Sequence, residues 1–324
     1  MTNQNIYRLR NFGLPAMKSI DDFARFSRLS TGKVKHISNS AKFLYKTYKI
    51  PKKNGSSRLI AQPSRELKAV QGWILRNILD KLSSSSYSKG FEAGSSILDN
   101  ARPHIGSNYV LSLDLQDFFP SVSARKVYGI FSSVGYNKEM CTLLTNLCVF
   151  NGGLPQGAPT SPKLANLVCA KLDSRINGYA GPKGITYTRY ADDITMSSNT
   201  AKKIENAKSF LGTIISDEGF VINKSKTVIS GVIKQKKVTG LILSENNVGI
   251  GRLKYRDIRA EIHHLFIKKH SNYSRINGLL SFVYSVDKKM YTRLYTYISY
   301  LKNKYPDIID TSLLNKEITA RRFE

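Results

Sequence analysis

The chain has 324 residues, which is enough for a sizeable hydrophobic core and more than one average domain. Its 50 Lys and Arg residues against 23 Asp and Glu give a formal net charge of +27, which predicts a polyanionic partner. No apolar run reaches the roughly 18 residues of a membrane span, and the N-terminus lacks the features of a signal peptide. Three cysteines without a C-x-x-C pattern and five scattered histidines argue against a zinc site and predict reduced thiols in a cytoplasmic protein.

The first part of the chain predicts helices followed by a hairpin. Residues 1–45 are basic with mixed helical spacing, and they could either cap the fold or hold RNA. Residues 46–63 predict two strands joined at Asn54-Gly55, a pair typical of tight hairpin turns. Residues 64–82 predict an amphipathic helix, in which we expect Trp73 to pack rather than stack on a base.

A short apolar strand with an acidic end comes next. After a polar loop at residues 94–108, Val110–Leu115 has the length of a buried strand and carries Asp114 near its end. An Asp at the end of a buried strand is a poor structural choice unless it is ionised and paired. Helices over residues 124–150 follow, and then a loop at residues 151–166 whose three Pro and three Gly favour close approach of backbone to a ligand.

A second acidic site lies between two β segments, Ile185–Tyr190 and Ile194–Ser197, with Ala191, Asp192 and Asp193 at the hairpin tip. Adjacent carboxylates repel each other, and a hard divalent cation neutralises both. An ordinary Asp-rich turn is the alternative for this dipeptide alone. The first acidic strand favours the cation site over an ordinary turn, because two strands that each end in Asp can converge on two metals suited to in-line phosphoryl transfer.

The last third predicts a helix over residues 201–218 and a hairpin formed by residues 237–243 and 247–252. Residues 253–324 predict basic helices interleaved with tyrosines. Most of these tyrosines are expected in the core and a minority at RNA, where basic side chains track phosphates and aromatic rings stack.

Three motifs together resemble the reverse transcriptase family over the chain from about residue 45 onward. They are Tyr190-Ala-Asp-Asp193, Asp114-x-x-Asp-Phe-Phe119 and Leu154-Pro-Gln-Gly-Ala-Pro-Thr-Ser-Pro162. The resemblance implies an α+β right-hand polymerase with fingers, a palm with an antiparallel sheet, and a short helical thumb. The implied domains are N-terminal helices and fingers at residues 1–108 with a second part of the fingers near 120–165, a palm at 109–250, and an RNA-binding thumb at 251–324.

Two further signatures resemble those of bacterial retron enzymes within this family. Asn100-Ala-Arg-Pro-His104 is similar to an N-A-x-x-H signature, and Val238-Thr-Gly240 is similar to a V-T-G signature, in the same order along the chain. The chain also ends without room for the extra domains of group II intron enzymes, which favours the retron group.

The resemblance assigns roles residue by residue. It implies two Mg²⁺ ions, with Mn²⁺ as a substitute, and deoxynucleotide substrates. The implied catalytic residues are Asp114, Asp192, Asp193 and Lys226. Lys226 is the implied proton donor to pyrophosphate, because Asn223-x-x-Lys-Thr227 is similar to a polymerase motif. The implied metal ligands are Asp114, the Leu115 carbonyl, Asp192 and Asp193. The implied nucleotide-binding residues are Lys53 and Arg58 at the triphosphate, Phe119 as a steric gate, and Gln156 and Gly157. The implied RNA or primer contacts are Asn100, His104, Val238, Thr239, Gly240 and Arg252.

Several of these assignments have structural alternatives. Lys53 and Arg58 could belong to a solvated basic turn, Lys226 could be a surface lysine, and at least one of Phe118 and Phe119 is expected in the core.

The retron resemblance implies an RNA-directed DNA polymerase that uses its own non-coding RNA (msr-msd) as template and as 2′-hydroxyl primer. Its product would be a branched RNA-linked single-stranded DNA (msDNA), made in the cytoplasm without membrane contact. An effector protein, a role in anti-phage defence and an oligomer formed with nucleic acid are also expected. Two alternatives remain: another bacterial class, either group II intron-like or a phage-defence polymerase, and a catalytically idle RNA-binding scaffold.

Overall fold

The computed structural model describes residues 3–51, 55, 57–267 and 272–305. The chain divides into two compact units, one of residues 1–96 and 111–229 and the other of residues 97–110 and 230–324. We call them the catalytic unit and the helical unit. Lys53, predicted to bind the triphosphate, lies outside the described residues.

The helices and strands are as follows. The first half of the chain forms α1 (Asn3–Asn11), α2 (Ile20–Ser27), α3 (Thr31–Ser40), β1 (Tyr45–Pro51), β2 (Ser57–Pro63), α4 (Arg65–Asn77), α5 (Ile97–Ala101), β3 (Tyr109–Asp114), α6 (Phe118–Ser121), α7 (Ala124–Ser133) and α8 (Lys138–Cys148). The second half forms α9 (Ser161–Val168), α10 (Ala170–Ala180), β4 (Thr186–Tyr190), β5 (Asp193–Ser198), α11 (Ala201–Asp217), β6 (Val228–Ser230), β7 (Lys237–Val238), β8 (Leu241–Leu243), β9 (Val248–Gly249), α12 (Gly251–Phe266), α13 (Tyr273–Val286) and α14 (Lys288–Lys304).

The sheet of the catalytic unit has the strand order β4-β5-β3-β6. Its two central strands carry the apolar side chains of Leu111, Leu113, Ile194 and Met196, all of which are buried. Helix α10 packs on β4 and α11 on β5. Burial of these strands fixes their register, since a shift by one residue would turn every side chain to the other face. The ends of the strands are therefore held in a fixed position.

Polar side chains cap the helices at the N-terminal side of the catalytic unit. The hydroxyls of Ser30 and Ser64 accept hydrogen bonds from backbone amides in the first turns of α3 and α4. Helix α4 buries Leu67 and Ile74, as its periodicity predicts. Trp73 packs edge-to-face on Phe23, with ring centroids 5.1 Å apart, which confirms that it is a packing residue.

The helical unit has its own apolar core, to which α12, α13, α14 and the sheet β7-β8-β9 all contribute. Asp287 links helix and sheet, because its carboxylate accepts a hydrogen bond from the Met290 amide at 3.1 Å and another from the Ile250 amide at 3.3 Å. The first bond caps α14, and the second ties the end of the sheet to that cap.

Two sequence predictions about the helical unit are wrong in detail. Residues 94–108 contain helix α5 and a short 3-10 turn at Arg102–His104 rather than a polar loop. The predicted strand over residues 237–243 is broken at Thr239-Gly240, where φ is +45° and +86°. Positive φ at both central residues is what a tight two-residue hairpin turn requires. The second predicted strand, residues 247–252, is also shorter than expected. It ends at Gly249, and Arg252 lies in α12.

The α+β class with antiparallel pairing is confirmed, since β1-β2, β4-β5, β7-β8 and β8-β9 all pair antiparallel. Cys141, Cys148 and Cys169 are buried and unpaired, and burial raises the pKa of the Cys148 thiol to about 12. Among the described helices, none has both the length and the apolar character to cross a membrane.

Candidate active site

The hairpin between β4 and β5 turns more tightly than the sequence predicts. Tyr190 pairs with Asp193, which leaves only Ala191 and Asp192 as the turn. Ala191 has a φ of +57°, a left-handed conformation that is uncommon for residues with a Cβ atom. Such a conformation persists only where the surrounding structure holds it, and it often marks a functional site.

The second acidic strand ends beside this turn. Strand β3 neighbours β5, and the Leu115 amide donates a hydrogen bond to the Asp192 carbonyl at 3.0 Å. Asp114, at the end of β3, is 7% exposed. The structure therefore brings Asp114 and Asp192 together, as expected from two acidic strand ends.

A third segment completes the surroundings of Asp114. The Asn223 amide donates to the Asp114 carbonyl at 2.8 Å, and the Asn223 side chain donates to Asp114 Oδ1 at 3.2 Å. Lys226 Nζ lies 2.8 Å from Asp114 Oδ2, and the Lys226 side chain is 56% exposed. Asn223 was not among the predicted site residues, although it opens the same Asn-x-x-Lys-Thr pattern that pointed to Lys226.

Burial and mutual repulsion shift the pKa values of the carboxylates. Burial raises the pKa of Asp192, and the neighbouring Asp114 charge raises it further. Loss of solvation around its carboxylate, together with repulsion from Asp192 and Asp114, raises the pKa of Asp193 to about 6, although the residue as a whole stays exposed. The hydrogen bond to Asp114 raises the pKa of Lys226. A cation placed among these carboxylates would therefore be bound favourably.

These residues open onto a cleft of about 730 Å³ in the catalytic unit. Asp114 and Asp192 lie in its wall. So do four of the predicted nucleotide-binding residues, Arg58, Phe119, Gln156 and Gly157. The lining residues are Arg58, Ile60, Phe91, Asp114, Leu115, Gln116, Asp117, Phe118, Phe119, Pro155, Gln156, Gly157, Ala158, Ser161, Pro162, Asp192, Asn223, Ser225 and Lys226. Asp193 is not among them.

Aromatic side chains form one wall of the cleft. Phe118 is buried in the core, whereas Phe119 is half-buried and faces the cleft, so one of the two is a core residue as predicted. Phe91 packs against Phe119 with ring centroids 6.0 Å apart and against Tyr190 at 6.5 Å. Phe91 was missed, because a single aromatic in a loop carries no periodic signal.

The loop that contains Gln156 and Gly157 is fastened to strand β2. The Ala61 amide donates to the Gln156 carbonyl at 2.9 Å. A Cβ atom at Gly157 would lie 2.7 Å from the Ala61 carbonyl oxygen, so only glycine fits this approach. Gln156 Oε1 is buried and accepts no hydrogen bond from the described residues, which leaves it available to a ligand.

The protein groups alone do not make a complete metal centre. Within the described residues, no three His, Cys, Asp or Glu side chains form a group that could hold an ion. Asp114 and Asp192 nevertheless supply the carboxylate oxygens that Mg²⁺ prefers, and Mg²⁺ commonly binds through one or two carboxylates with substrate phosphates and water. The donor set fits a metal shared with a nucleotide.

The two retron-like signatures lie together in the helical unit, and we call Asn100–His104 with Val238–Gly240 the signature cluster. Asn100 and His104 are fully enclosed, and Val238 is 1% exposed. Thr239 Oγ1 donates to the Ile97 carbonyl at 3.2 Å, which ties the β7-β8 turn to α5. These side chains pack the core in this conformation, and their direct contact with RNA stays a prediction.

Other residues of the helical unit are exposed at its surface. Arg252 is exposed, as are Tyr295 and Tyr300, at 48% and 55%. The Arg259 guanidinium lies 4.0 Å from the ring centroid of Tyr297, whose hydroxyl hydrogen-bonds His263. Two of these tyrosines are thus exposed and the others are half-buried, and their contact with RNA stays a prediction.

The chain is similar to several known proteins. The chain resembles a solved telomerase from Candida albicans with 14% identity and a TM-score of 0.48, over 84% of this chain and 62% of the other. It is 55% identical to the retron Ec86 reverse transcriptase of Escherichia coli, over 93% of this chain and 95% of the relative. It is 32% identical to the retron Mx65 reverse transcriptase of Myxococcus xanthus, over 89% and 73% of the two chains.

The family model for reverse transcriptase (RNA-dependent DNA polymerase) matches residues 50–243. This range contains all four catalytic candidates. The mixed helix and sheet architecture with antiparallel sheets is consistent with the right-hand polymerase fold of that family. The chain is an RNA-directed DNA polymerase that belongs to the reverse transcriptase family and, within it, to the retron reverse transcriptases.

Proposed function

We propose that the cleft of the catalytic unit joins a terminal hydroxyl to the α-phosphorus of a deoxynucleoside triphosphate, with pyrophosphate as leaving group. The observation that carries this proposal is the convergence of Asp114 and Asp192 on one cleft that also contains Arg58, Phe119 and Gln156. Two acidic strand ends alone would suggest only a cation site. The nucleotide-sized cleft beside them supplies room for the substrate.

Reverse transcriptases in general use divalent metal ions, and we propose that this chain uses two Mg²⁺ ions, with Mn²⁺ as a substitute. Asp114 and Asp192 would hold them, with Asp193 and the Leu115 carbonyl as further ligands. Ions held by these residues would supply stabilisation of the charge on the attacking and leaving oxygens. The raised pKa values of Asp192 and Asp193 support this assignment, because a cation offsets their mutual repulsion.

The nucleotide would contact the other walls of the cleft. Arg58 is exposed on β2 and can donate charge-assisted hydrogen bonds to the triphosphate. Gln156 offers its unpaired Oε1 as an acceptor, and Gly157 lets backbone approach without a side chain. Phe119 would exclude a 2′-hydroxyl by its ring, which selects deoxynucleotides through a clash. Lys53 remains part of the proposal as a second cation at the triphosphate.

Lys226 is proposed as the donor of a proton to pyrophosphate. In the structure its ammonium is paired with Asp114, and this hydrogen bond raises its pKa, so the group stays protonated at neutral pH. A general acid must reach the leaving oxygen. Lys226 therefore has to exchange Asp114 for the phosphate when the substrate and its metals are bound.

The template and primer are proposed to come from the chain's own non-coding RNA, msr-msd, whose 2′-hydroxyl would start a branched RNA-linked DNA, msDNA. The retron relatives and the net charge of +27 support this. We place the fingers at residues 1–108 and 120–165, the palm at 109–250 and an RNA-binding thumb at 251–324. A cytoplasmic location, an effector protein, anti-phage defence and an oligomer with nucleic acid complete the proposal by analogy with retrons.

The experiment is to express the chain with its native upstream non-coding region and to extract the bound nucleic acid. Products are run on a denaturing gel after RNase, DNase or both, next to the double variant Asp192→Ala/Asp193→Ala. Asp80→Asn, an exposed carboxylate of the same unit, is the matched control. We expect a discrete DNase-sensitive band that shortens with RNase, disappears in the double variant and persists in the control.

Other results would redirect the proposal. RNA without DNA in both the parent and the double variant would favour an idle RNA-binding scaffold. DNA made equally well with an unrelated RNA would favour a bacterial class that does not depend on one adjacent RNA.

A further inference from the structure

The turn that carries Asp192 rests on a buried guanidinium. Arg189, in β4, is fully buried, and it donates from Nε and Nη2 to the two carboxylate oxygens of Asp173 at 2.7 and 2.8 Å. Its Nη1 donates to the Ala191 carbonyl at 3.0 Å and to Asn166 Oδ1 at 3.2 Å. The Arg189 side chain thus links the buried Asp173, helix α9 and the turn that contains Asp192.

Stability alone does not explain this arrangement. Asp173 is also fully buried, and its Oδ1 accepts a further hydrogen bond from the Tyr187 hydroxyl at 2.7 Å. Removing two charges from water is costly, and a buried ion pair is often no more stabilising than apolar residues of the same volume. What the planar guanidinium supplies, and an apolar side chain does not, is a fixed direction for several hydrogen bonds.

That direction fixes the backbone on both sides of Asp192. The Ala191 carbonyl bound by Arg189 belongs to the peptide that leads into Asp192. The Asp192 carbonyl, on the other side, accepts the hydrogen bond from the Leu115 amide. Ala191 keeps its unfavourable φ of +57° between these two anchors. The orientation of the Asp192 carboxylate is therefore set in part by Arg189, a side chain that does not line the cleft.

The network also reaches the nucleotide side of the cleft. Asn166 donates to the Gly90 carbonyl at 2.7 Å and to Glu92 Oε1 at 2.8 Å, and these residues flank the cleft residue Phe91. Lys163 holds the other oxygen of Glu92 at 2.8 Å. The loop around Phe91 and the turn of Asp192 are consequently fastened to the same helix, α9.

We propose that Arg189, held by Asp173 and Asn166, is a positioning residue that keeps the Asp192 turn in the geometry required for metal binding. It touches neither substrate nor metal and acts through Ala191 and Asp192. This inference rests on the proposed metal-binding role of Asp192. Groups that orient metal ligands in this way change metal affinity or activity by about 10- to 100-fold when they are replaced.

The test uses the full-length chain with three substitutions. Arg189→Lys keeps the positive charge but loses the planar set of donors, and Asn166→Ala removes one partner of Arg189. Arg175→Lys is the control, because Arg175 also bridges two carboxylates, Asp217 and Glu218, but at the surface of α10. Three quantities are measured: kcat and KM for a dNTP on a primed RNA template, the melting temperature, and Mn²⁺ binding with dNTP present, by the loss of the free Mn²⁺ signal in electron paramagnetic resonance.

We expect Arg189→Lys to lower kcat by about 10- to 100-fold and to weaken Mn²⁺ binding by about 10-fold, with KM for the dNTP within about threefold of the parent. Asn166→Ala should change the same two quantities in the same direction, by about three- to tenfold, because Arg189 retains Asp173. Arg175→Lys should leave both quantities within about twofold. If Arg189→Lys does not fold, the kcat and the Mn²⁺ binding of Asn166→Ala alone decide whether Arg189 is a positioning residue.

A lower melting temperature with unchanged kcat and Mn²⁺ binding in the folded variants would overturn the inference and leave Arg189 a structural residue. Asp192→Asn separates this result from failure of the proposed function. If Asp192→Asn binds Mn²⁺ and polymerises like the parent, the proposed metal site is wrong. If it is inactive while Arg189→Lys matches the parent, only the positioning role is wrong.

Discussion

The cleft and the signature cluster both contain the motifs by which the sequence resembles its family, but the structure uses them in opposite ways. Asp114 and Asp192 line the cleft, and their negative charges repel each other. Asn100, His104 and Val238 are enclosed in a core, where burial lowers the pKa of His104 to about 4. Motif residues are therefore of two kinds: those that line the cleft and those that pack the interior of the helical unit.

The difference is also one of stability. Clustered carboxylates and a strained turn cost folding free energy, which functional sites commonly do. Buried apolar and hydrogen-bonded residues contribute to it. Substitution in the cleft should therefore remove activity and spare stability, whereas substitution in the signature cluster should reduce stability and spare the activity of the molecules that remain folded.

The largest expected effect is that of Asp114→Asn on the chemical step. Loss of one metal-binding charge removes several kcal/mol of transition-state stabilisation, which lowers kcat by about 10³-fold. The melting temperature should change little, because the substitution relieves repulsion with Asp192 but also removes the charge that pairs with Lys226. Single-turnover extension on a primed template and thermal unfolding measure the two quantities.

Asp80→Asn provides the comparison for this change, because Asp80 is exposed and distant in sequence from every motif. It should alter neither quantity. An Asp114→Asn enzyme within about tenfold of the parent would mean that Asp114 is not a metal ligand.

The next effect concerns the signature cluster at acidic pH. The folded pKa of His104 is about 4, below the ordinary value of about 6.5 that the unfolded chain has. The unfolded state therefore takes up the proton first, and the stability that neutral His104 contributes is present in full above pH 6.5 and is lost as the pH falls to about 4. The loss is up to about 3 kcal/mol.

His104→Gln should flatten this part of the pH dependence when the urea midpoint is measured by circular dichroism between pH 7.5 and 4. His36→Gln, at an exposed histidine of α3, is the control and should follow the parent. Equal acid sensitivity in His104→Gln and the parent would refute the structural role of His104. Weaker RNA binding by His104→Gln without any loss of stability would restore the predicted RNA contact.

The sequence predicted the elements whose signals are local. The acidic strand ends and the amphipathic helix α4 could be found from residue type and spacing, whereas Lys226 was found only through the resemblance of its segment to a polymerase motif. The burial of Asn100 and His104 could not, because a polar stretch gives no periodic signal and its enclosure depends on β8, which lies more than a hundred residues further along the chain. Arg189 was missed for the same reason, since its partners Asp173 and Asn166 come from two other helices.

The smallest expected effect tests whether the turn of the signature cluster is structural. Thr239→Val keeps the shape of the side chain but removes the hydroxyl that donates to the Ile97 carbonyl. The part-buried acceptor loses its partner, so we expect a loss of about 1 kcal/mol in the free energy of unfolding, read from the urea midpoint. Thr292→Val, at an exposed hydroxyl of α14 that bonds within its own helix, should change stability by less than about 0.5 kcal/mol. DNA synthesis per folded molecule should equal that of the parent in both variants. If Thr239→Val keeps the stability of the parent but binds the RNA less tightly, the turn contacts RNA, and the contrast between the cleft and the signature cluster does not hold at this residue.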